Sequence, residues 1–334
     1  MQTVEWNLFE KGHSTQGHYC RSPDSGILRK HEEVGIKIAY HPIYEYPLPA
    51  GHRFPMEKYG LLKEQLIYEG VFGEHHFFEP PAMSAEDILL THSESYWYKL
   101  THQKLSAKEI RNIGFPMTPL LVERGRHIAM GTYMCSLYAR EFGVALNVAG
   151  GTHHSYKDHG EGFCIFNDIA ISANILLDRH SINRILVVDL DVHQGNGTAS
   201  IFAHDERVFT LSLHGEKNYP LRKEKSDLDI GLPDGTSDAS YLSILEQAIE
   251  SVLHNFKPEF IFYQAGVDVL KTDKLGRLNL SREGCKKRDM IVLQAAKERK
   301  IPVTITMGGG YSPNLKDILN AHCNTFKVAK EVFE

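Results

Sequence analysis

Two spacings of apolar residues follow one another along this chain from Ile36 onward. Short runs rich in β-branched residues are separated by longer stretches with helical spacing. Short buried strands that alternate with helices are typical of parallel βαβ units. The pattern predicts an α/β fold, a single domain with a mostly parallel central sheet and helices on both faces. The predicted strands are residues 37–40, 144–148, 185–191, 208–213, 259–264 and 303–307, and the predicted helices are residues 121–142, 167–180, 239–254 and 282–300.

Residues 1–35 follow neither spacing. They are polar, with glycine, histidine, serine and proline scattered among them, and they predict an N-terminal extension whose role the sequence does not indicate. Residues 36–334 contain no internal repeat, low-complexity tract or Pro/Ser-rich linker. They are therefore interpreted as one domain.

Composition excludes several classes of protein. A formal net charge of -5 gives no general attraction to nucleic acid, and no apolar run approaches the ~20 residues of a membrane helix. The five cysteines are scattered and form no CxxC pair, which indicates a reducing compartment. Without a recognisable secretory signal, the chain is expected to be cytoplasmic, with no membrane partner and no direct nucleic-acid partner.

Polar or glycine-rich segments follow every predicted strand from residue 144 onward. In open parallel sheets the ligand lies beyond the carboxyl ends of the strands. These segments should therefore converge on one site. They are residues 150–154, 191–193, 214–215, 265–268 and 308–311.

The segment Asp189-Leu190-Asp191-Val192-His193 carries the strongest indication of a metal. If the strand continues through it, Asp189, Asp191 and His193 point to the same side. A catalytic zinc needs three protein ligands and one open position, and Asp268, after another apolar strand, is the best third ligand. One histidine with two carboxylates is a hard ligand set, so ferrous iron stays open. Each aspartate alone could equally be a helix cap.

Acid–base and carbonyl-binding groups are also present. The pair His153-His154 at a glycine-flanked strand end can supply a general base near neutral pH, and Asp189 is placed to orient one imidazole. The glycines before Tyr311 let the backbone approach a ligand closely, and its phenol can donate a hydrogen bond to a developing oxyanion.

Together these segments resemble the zinc-dependent histone deacetylase family, which includes bacterial deacetylase-like amidohydrolases. The similarity extends from Lys37 to the C-terminus, and three further segments, residues 123–125, 273–278 and 287–289, resemble class IV of that family. The motifs that match in order are Gly151-Thr152-His153-His154, Gly162-Phe163-Cys164-Ile165-Phe166-Asn167-Asp168, residues 189–197, Ala265-Gly266-Val267-Asp268 and Gly309-Gly310-Tyr311.

The resemblance implies an arginase/deacetylase-type fold for residues 36–334 and hydrolysis of the acyl-amide bond of Nε-acyl-lysine. One zinc ion would be held by Asp191, His193 and Asp268. His153 and His154 would form the pair that removes and delivers protons, and Tyr311 would bind the carbonyl oxygen. Asp189 would support His153, and it would join Ser212 and Leu213 around a potassium ion.

The resemblance also implies substrate-binding positions. The acyl-lysine stem would run between Phe163, preceded by Gly162, and Tyr219. Gly309 would also bind the substrate, and Arg53 would lie near the inner end of the pocket. Two departures stand out: class I enzymes have aspartate where Asn196 stands beside the second histidine, and residues 113–116 contain no carboxylate to hold a peptide backbone.

Three other functions remain open. An acetylpolyamine or other small-amide hydrolase would use the same site on an acylated small amine. An arginase-like binuclear manganese enzyme would need further bridging aspartates, and a binding module without activity would lack a catalytic side chain. The sequence indicates neither the acyl-chain length nor the oligomeric state.

Overall fold

The central sheet has eight strands in the part of the chain that the structure, a computed structural model, describes, residues 35–334. All strands are parallel, in the order β2-β1-β3-β8-β7-β4-β5-β6. The predicted α/β class is therefore confirmed, whereas the predicted extension lies outside the described residues apart from Gly35. The strands are β1 (Lys37–Ala39), β2 (Phe77–Phe78), β3 (Val144–Asn147), β4 (Ile185–Asp189), β5 (Val208–Gly215), β6 (Leu228–Leu232), β7 (Phe260–Gln264) and β8 (Val303–Thr306).

Six of these strands match the predicted ones, and the two edge strands were missed. β2 has only two residues, too few to show a pattern. β6 includes Asp229 and Gly231, which interrupt its apolar residues because one side of this edge strand faces solvent. β4 ends at Asp189 and not at Asp191 as predicted, which changes how the site is built.

Ten α-helices surround the sheet in the described residues. The four predicted helices correspond to α5, α6, α8 and α9, and α5 begins as its sequence indicates, with the Thr118 side chain accepting the N–H of Leu121 (3.3 Å) ahead of a first-turn proline. The helices are α1 (Lys58–Tyr68), α2 (Ala85–Leu89), α3 (Glu94–Thr101), α4 (Ala107–Ile113), α5 (Pro119–Phe142), α6 (Asp168–Arg179), α7 (Asn196–Phe202), α8 (Asp238–Phe256), α9 (Arg282–Glu298) and α10 (Leu315–Phe333).

Two hydrophobic layers hold the helices against the sheet. Along β4, Leu186 and Val188 enter one layer, while Ile185 and Val187 enter the other. This alternation follows from the two-residue period of a strand that is buried on both faces. Within residues 35–334, no helix combines the length and apolarity needed to cross a bilayer.

Candidate active site

The carboxyl edge of the sheet brings together segments that lie far apart in the sequence. β4 lies between β7 and β5, and β8 lies beside β7. The loops after these strands carry the predicted metal ligands and Tyr311, and the loop after β3 carries the histidine pair. The predicted convergence at this edge is therefore present.

Asp191, His193 and Asp268 form a buried cluster at this edge. One ligand atom from each lies within 4.8 Å of the others, and no other group of three or more such side chains converges in residues 35–334. His193 Nδ1 is 3.0 Å from Asp191 Oδ1 and 3.1 Å from Asp268 Oδ2. Ligands of a tetrahedral zinc site at about 2.0–2.1 Å from the ion lie roughly 3.4 Å apart. The donor set and its spacing therefore fit one divalent ion.

The explanation predicted for this arrangement was wrong in one respect. Side-chain alternation along a strand cannot align Asp191 and His193, because β4 ends at Asp189. The loop beyond it is instead held by hydrogen bonds. The His193 N–H donates to Asp191 Oδ1 (3.0 Å), and the Val192 N–H donates to Asp268 Oδ1 (2.9 Å).

Gly309 closes the cluster from the opposite side. Its N–H donates to Asp191 Oδ2 at 2.8 Å. A Cβ atom at this position would overlap Asp268 Oδ2 and lie 2.8 Å from Asp191 Oδ2. Glycine is therefore required for the backbone to approach both carboxylates.

Burial makes the charges of this cluster strongly interdependent. Burial, followed by the charge of Asp191, raises the pKa of Asp268 to about 7. Burial by itself would lower the pKa of His193, but its hydrogen bonds to both carboxylates outweigh that effect and raise it to about 10. Buried carboxylates are costly unless they are paired with a cation, and a bound divalent cation would take this role from His193 and leave its imidazole neutral as a ligand.

The histidine pair lies beside the cluster, and each ring has its own partner. His153 Nδ1 is 2.6 Å from Asp189 Oδ2, and His154 Nδ1 is 2.6 Å from Asn196 Oδ1. The Asn196 amide nitrogen donates to Glu161 at 2.6 Å, so its oxygen is the acceptor for His154. His154 Nδ1 therefore carries the proton, and its Nε2 is left with a free lone pair.

These partners shift the pKa values of the two imidazoles in opposite directions. Burial lowers the pKa of His153, but the charge and hydrogen bond of Asp189 outweigh it and raise that pKa to about 9. Burial, together with the charges of His153 and His193, lowers the pKa of His154 well below its ordinary value, and the Asn196 hydrogen bond opposes this only in part. The pKa of His153 is thus shifted upward and that of His154 downward, so His154 is the ring that favours the neutral form.

Tyr311 faces this site from the loop after β8. Its ring centroid is 6.3 Å from that of His193, and burial and nearby aspartates raise its pKa well above the ordinary value, so the phenol keeps its proton. Its N–H donates to Asp273 Oδ2 at 2.6 Å, and the buried Lys58 donates to Gly308 O at 3.0 Å. Both contacts were missed, because no local pattern links these pairs.

An outer cavity of about 330 Å³ leads to the cluster. Phe163 and Tyr219, the predicted aromatic walls, both line it, and Tyr219 is 39% exposed. A Cβ atom on Gly162 would lie 2.5 Å from Cδ2 of the His154 ring, so this glycine allows the wall to pass close to the histidine pair. The predicted stem-binding residues are therefore found together.

The inner-end position predicted for Arg53 is wrong. Arg53 is exposed at the outer cavity, and its guanidinium carbon lies 4.9 Å from the Phe163 ring centroid. The adjacent Phe54 lines the inner cavity in its place. The inner cavity, of about 40 Å³, contains Arg124 instead. This buried arginine of α5 donates from Nε to Tyr44 O at 2.8 Å.

The predicted potassium ligands adjoin the histidine pair through Asp189, which contacts His153. Asp189 and Ser212 are neighbours across the β4–β5 ladder, and Leu213 follows in β5. Ser212 Oγ is 2.9 Å from His214 Nδ1. Nothing in this geometry tests whether potassium binds, so the potassium site stays a prediction.

Comparison with known proteins gives a consistent result. Residues 52–326 match the model of the histone deacetylase domain. Histone deacetylase 2 of Arabidopsis thaliana is 34% identical over 78% of this chain and 70% of its own length, and histone deacetylase 8 of Xenopus tropicalis is 30% identical over 82% and 75%. The crystal structure of a deacetylase homologue from Aquifex aeolicus covers 89% of this chain and 84% of that chain, with a TM-score of 0.76 and 26% identity.

Proposed function

Since this chain belongs to the histone deacetylase family, we propose that it is a zinc-dependent deacylase that hydrolyses the acyl-amide bond of Nε-acyl-lysine. The observation that carries this proposal is the convergence of Asp191, His193 and Asp268 with a histidine pair and Tyr311 around one narrow cavity. Class IV membership, the cytoplasmic location and the potassium site stay predictions.

The metal would be held by Asp191, His193 and Asp268. Both carboxylates are already oriented by backbone N–H groups, and all three side chains are more than nine-tenths buried. When bound, a zinc ion supplies Lewis acidity toward the amide carbonyl and lowers the pKa of water. The aspartates exclude iron less strongly than cysteines would, so metal identity is part of the test.

The histidine pair would act as general base and general acid in the proton transfers. His154, neutral and with Nε2 free, accepts a proton from the attacking water. His153, whose pKa is raised by Asp189 at 2.6 Å, is suited to deliver a proton to the departing lysine amine. The separated pKa values of two adjacent imidazoles provide one acid and one base at the same pH.

The tyrosine and the aromatic walls position the substrate. Tyr311 keeps its proton and can donate a hydrogen bond to the oxyanion that develops from the carbonyl. Phe163 and Tyr219 offer aromatic faces to the four methylenes of the lysine stem, each of which gains at most about 0.8 kcal/mol on burial. Beyond the reacting carbon, Arg124 places a buried positive charge where a carboxylate product would form.

Hydrolysis of an acetyl-lysine peptide by purified protein tests this function. We expect turnover that is lost on chelation and restored by Zn²⁺, and a parallel ferrous reconstitution under reducing conditions would identify the better metal. Tyr311→Phe should lower kcat by about 10²–10³-fold, as loss of one oxyanion donor does elsewhere. Tyr98→Phe, at an exposed tyrosine of α3 (53% exposed), is the matched control and should retain activity.

Metal binding has a readout that does not depend on activity. A zinc concentration about 100-fold above Kd should stabilise the folded protein by about 2.7 kcal/mol, seen as a higher Tm in wild type and in His154→Ala. Zinc-loaded protein that fails to hydrolyse acetyl-, octanoyl- and myristoyl-lysine peptides and acetylated polyamines would contradict the proposal.

A further inference from the structure

The outer cavity opens to solvent among three cationic side chains. Arg53, Lys217 and Arg277 are exposed and line this cavity, and no carboxylate lines it among the described residues. The whole chain carries a formal charge of -5. The mouth is therefore a local concentration of charge opposite in sign to the average of the molecule.

The carboxylates near the mouth leave a net positive charge there: Glu161, which bonds Tyr219 and Asn196, sets one negative charge against three positive ones. Arg277 pairs with Asp234 at 3.3 Å, but the two side chains are 56% and 39% exposed, so solvent screens the pair. Asp273 is turned inward onto three backbone N–H groups. Within residues 35–334, neither Arg53 nor Lys217 makes an ion pair, and Arg53 lies over an aromatic ring instead.

The three cations at the mouth can contact the residues that flank the acyl-lysine, but not the acyl-lysine side chain itself. An acyl-lysine side chain is neutral and passes inward between Phe163 and Tyr219. The residues on either side of that lysine stay at the mouth, within reach of the three cations. Charge on these flanking residues is therefore what the mouth can discriminate.

We propose that this cationic mouth selects acyl-lysine residues whose flanking positions carry carboxylates, that is, acidic segments of a protein. The inference rests on the proposed deacylase function and specifies its substrate class. A segment dense in lysine and arginine would be repelled, and so would an acetylated polyamine, whose remaining amines are cationic. The mouth thus favours an acidic protein substrate over the polyamine alternative.

A matched set of substrates tests this proposal. Three peptides would carry the same acetyl-lysine with Asp/Glu, Ser/Gln or Lys/Arg flanks, and an acetylated polyamine would complete the set. At low salt we expect kcat/KM for the acidic peptide to exceed that for the basic peptide by about tenfold or more. The ratio should shrink at high salt, because the Debye length falls from roughly 30 Å at 0.01 M to roughly 3 Å at 1 M.

Charge-neutralising variants locate the effect. In Lys217→Gln/Arg277→Gln the acidic-to-basic ratio should fall at least about threefold, while Arg53 keeps its contact with Phe163. Lys300→Asn removes one exposed charge just before β8, at the opposite edge of the sheet. Lys300 has φ 55°, a left-handed conformation that asparagine tolerates, so this control should keep the wild-type ratio.

The possible results separate the two proposals. Equal kcat/KM for the three peptides at low salt, or a higher value for the basic peptide or the polyamine, would overturn the cationic-mouth proposal and leave deacylation standing. An unchanged ratio in the double variant would overturn it as well. Absence of turnover with every substrate, the neutral peptide included, would refute the deacylase function itself.

Discussion

Replacing Asp273 by asparagine tests whether this loop residue positions Tyr311. The Asp273 carboxylate accepts hydrogen bonds from the N–H groups of Tyr311 (2.6 Å), Leu275 (2.8 Å) and Gly276 (2.9 Å). Asparagine has the same shape but only one acceptor oxygen. If that oxygen stays on Leu275 and Gly276, the side-chain amide faces the Tyr311 N–H and this hydrogen bond is lost.

The size of the effect follows from that one contact. A hydrogen bond to a charged group contributes about 1.5–3 kcal/mol, and about 1.36 kcal/mol corresponds to tenfold in rate. If losing this hydrogen bond weakens the contact of Tyr311 with the transition state by the same free energy, we expect Asp273→Asn to lower kcat roughly 10- to 100-fold. KM should change little, because Phe163 and Tyr219 are not touched.

The measurement is kcat and KM of the metal-loaded variant on an acetyl-lysine peptide, with Tm alongside. The matched control is Asp178→Asn on α6, whose side chain is 59% exposed and lies 3.5 Å from Arg179. A surface change of this kind is expected to alter stability by less than about 0.5 kcal/mol and leave kcat unchanged. A rise in KM with unchanged kcat in Asp273→Asn would refute the reasoning, because Asp273 would then act on substrate binding.

Three further predictions follow from the geometry. Gly309→Ala should weaken zinc binding at least about tenfold in a chelator competition, because its Cβ overlaps a ligand carboxylate. The control Gly231→Ala should bind zinc normally, because its Cβ would lie 3.5 Å from the nearest atom. Asn196→Asp in a Glu161→Gln background should raise the pKa of His154, moving the acidic limb of the kcat/KM profile about 1–2 units to higher pH. An unmoved limb would show that His154 is not the titrating base. An acetyl-lysine peptide should be hydrolysed at least about tenfold faster than a myristoyl-lysine peptide, because methylenes forced against the walls of a cavity of about 40 Å³ cost ~1–3 kcal/mol; equal rates would contradict this.

Most of the fold was predictable because central parallel strands are buried on both faces. Such strands appear in the sequence as nearly continuous runs of aliphatic, aromatic and β-branched residues, and β3, β4, β5, β7 and β8 all do. β6 was not predicted because one of its faces is exposed to solvent, so its apolar residues do not form a continuous run. α10 was missed although its apolar positions recur at helical spacing, among them Ile318, Phe326 and Ala329, since polar residues near its middle obscured the period.

The sequence by itself determined which chemical groups the site contains. Asp191, His193, Asp268, the histidine pair and Tyr311 follow strands whose carboxyl ends must share one edge, and that rule depends only on chain connectivity. The same rule did not determine orientation, because Asp191 and His193 lie beyond the end of β4, where strand alternation no longer applies.

Only the tertiary structure decided how those groups are held and which residue faces where. Arg124 of α5, not Arg53, lies at the inner cavity, and Asp273 holds the Tyr311 backbone although the two residues are 38 positions apart. Such contacts depend on how loops and helices pack against one another. That packing is the sum of many weak interactions between distant residues, and it leaves no local pattern in the sequence.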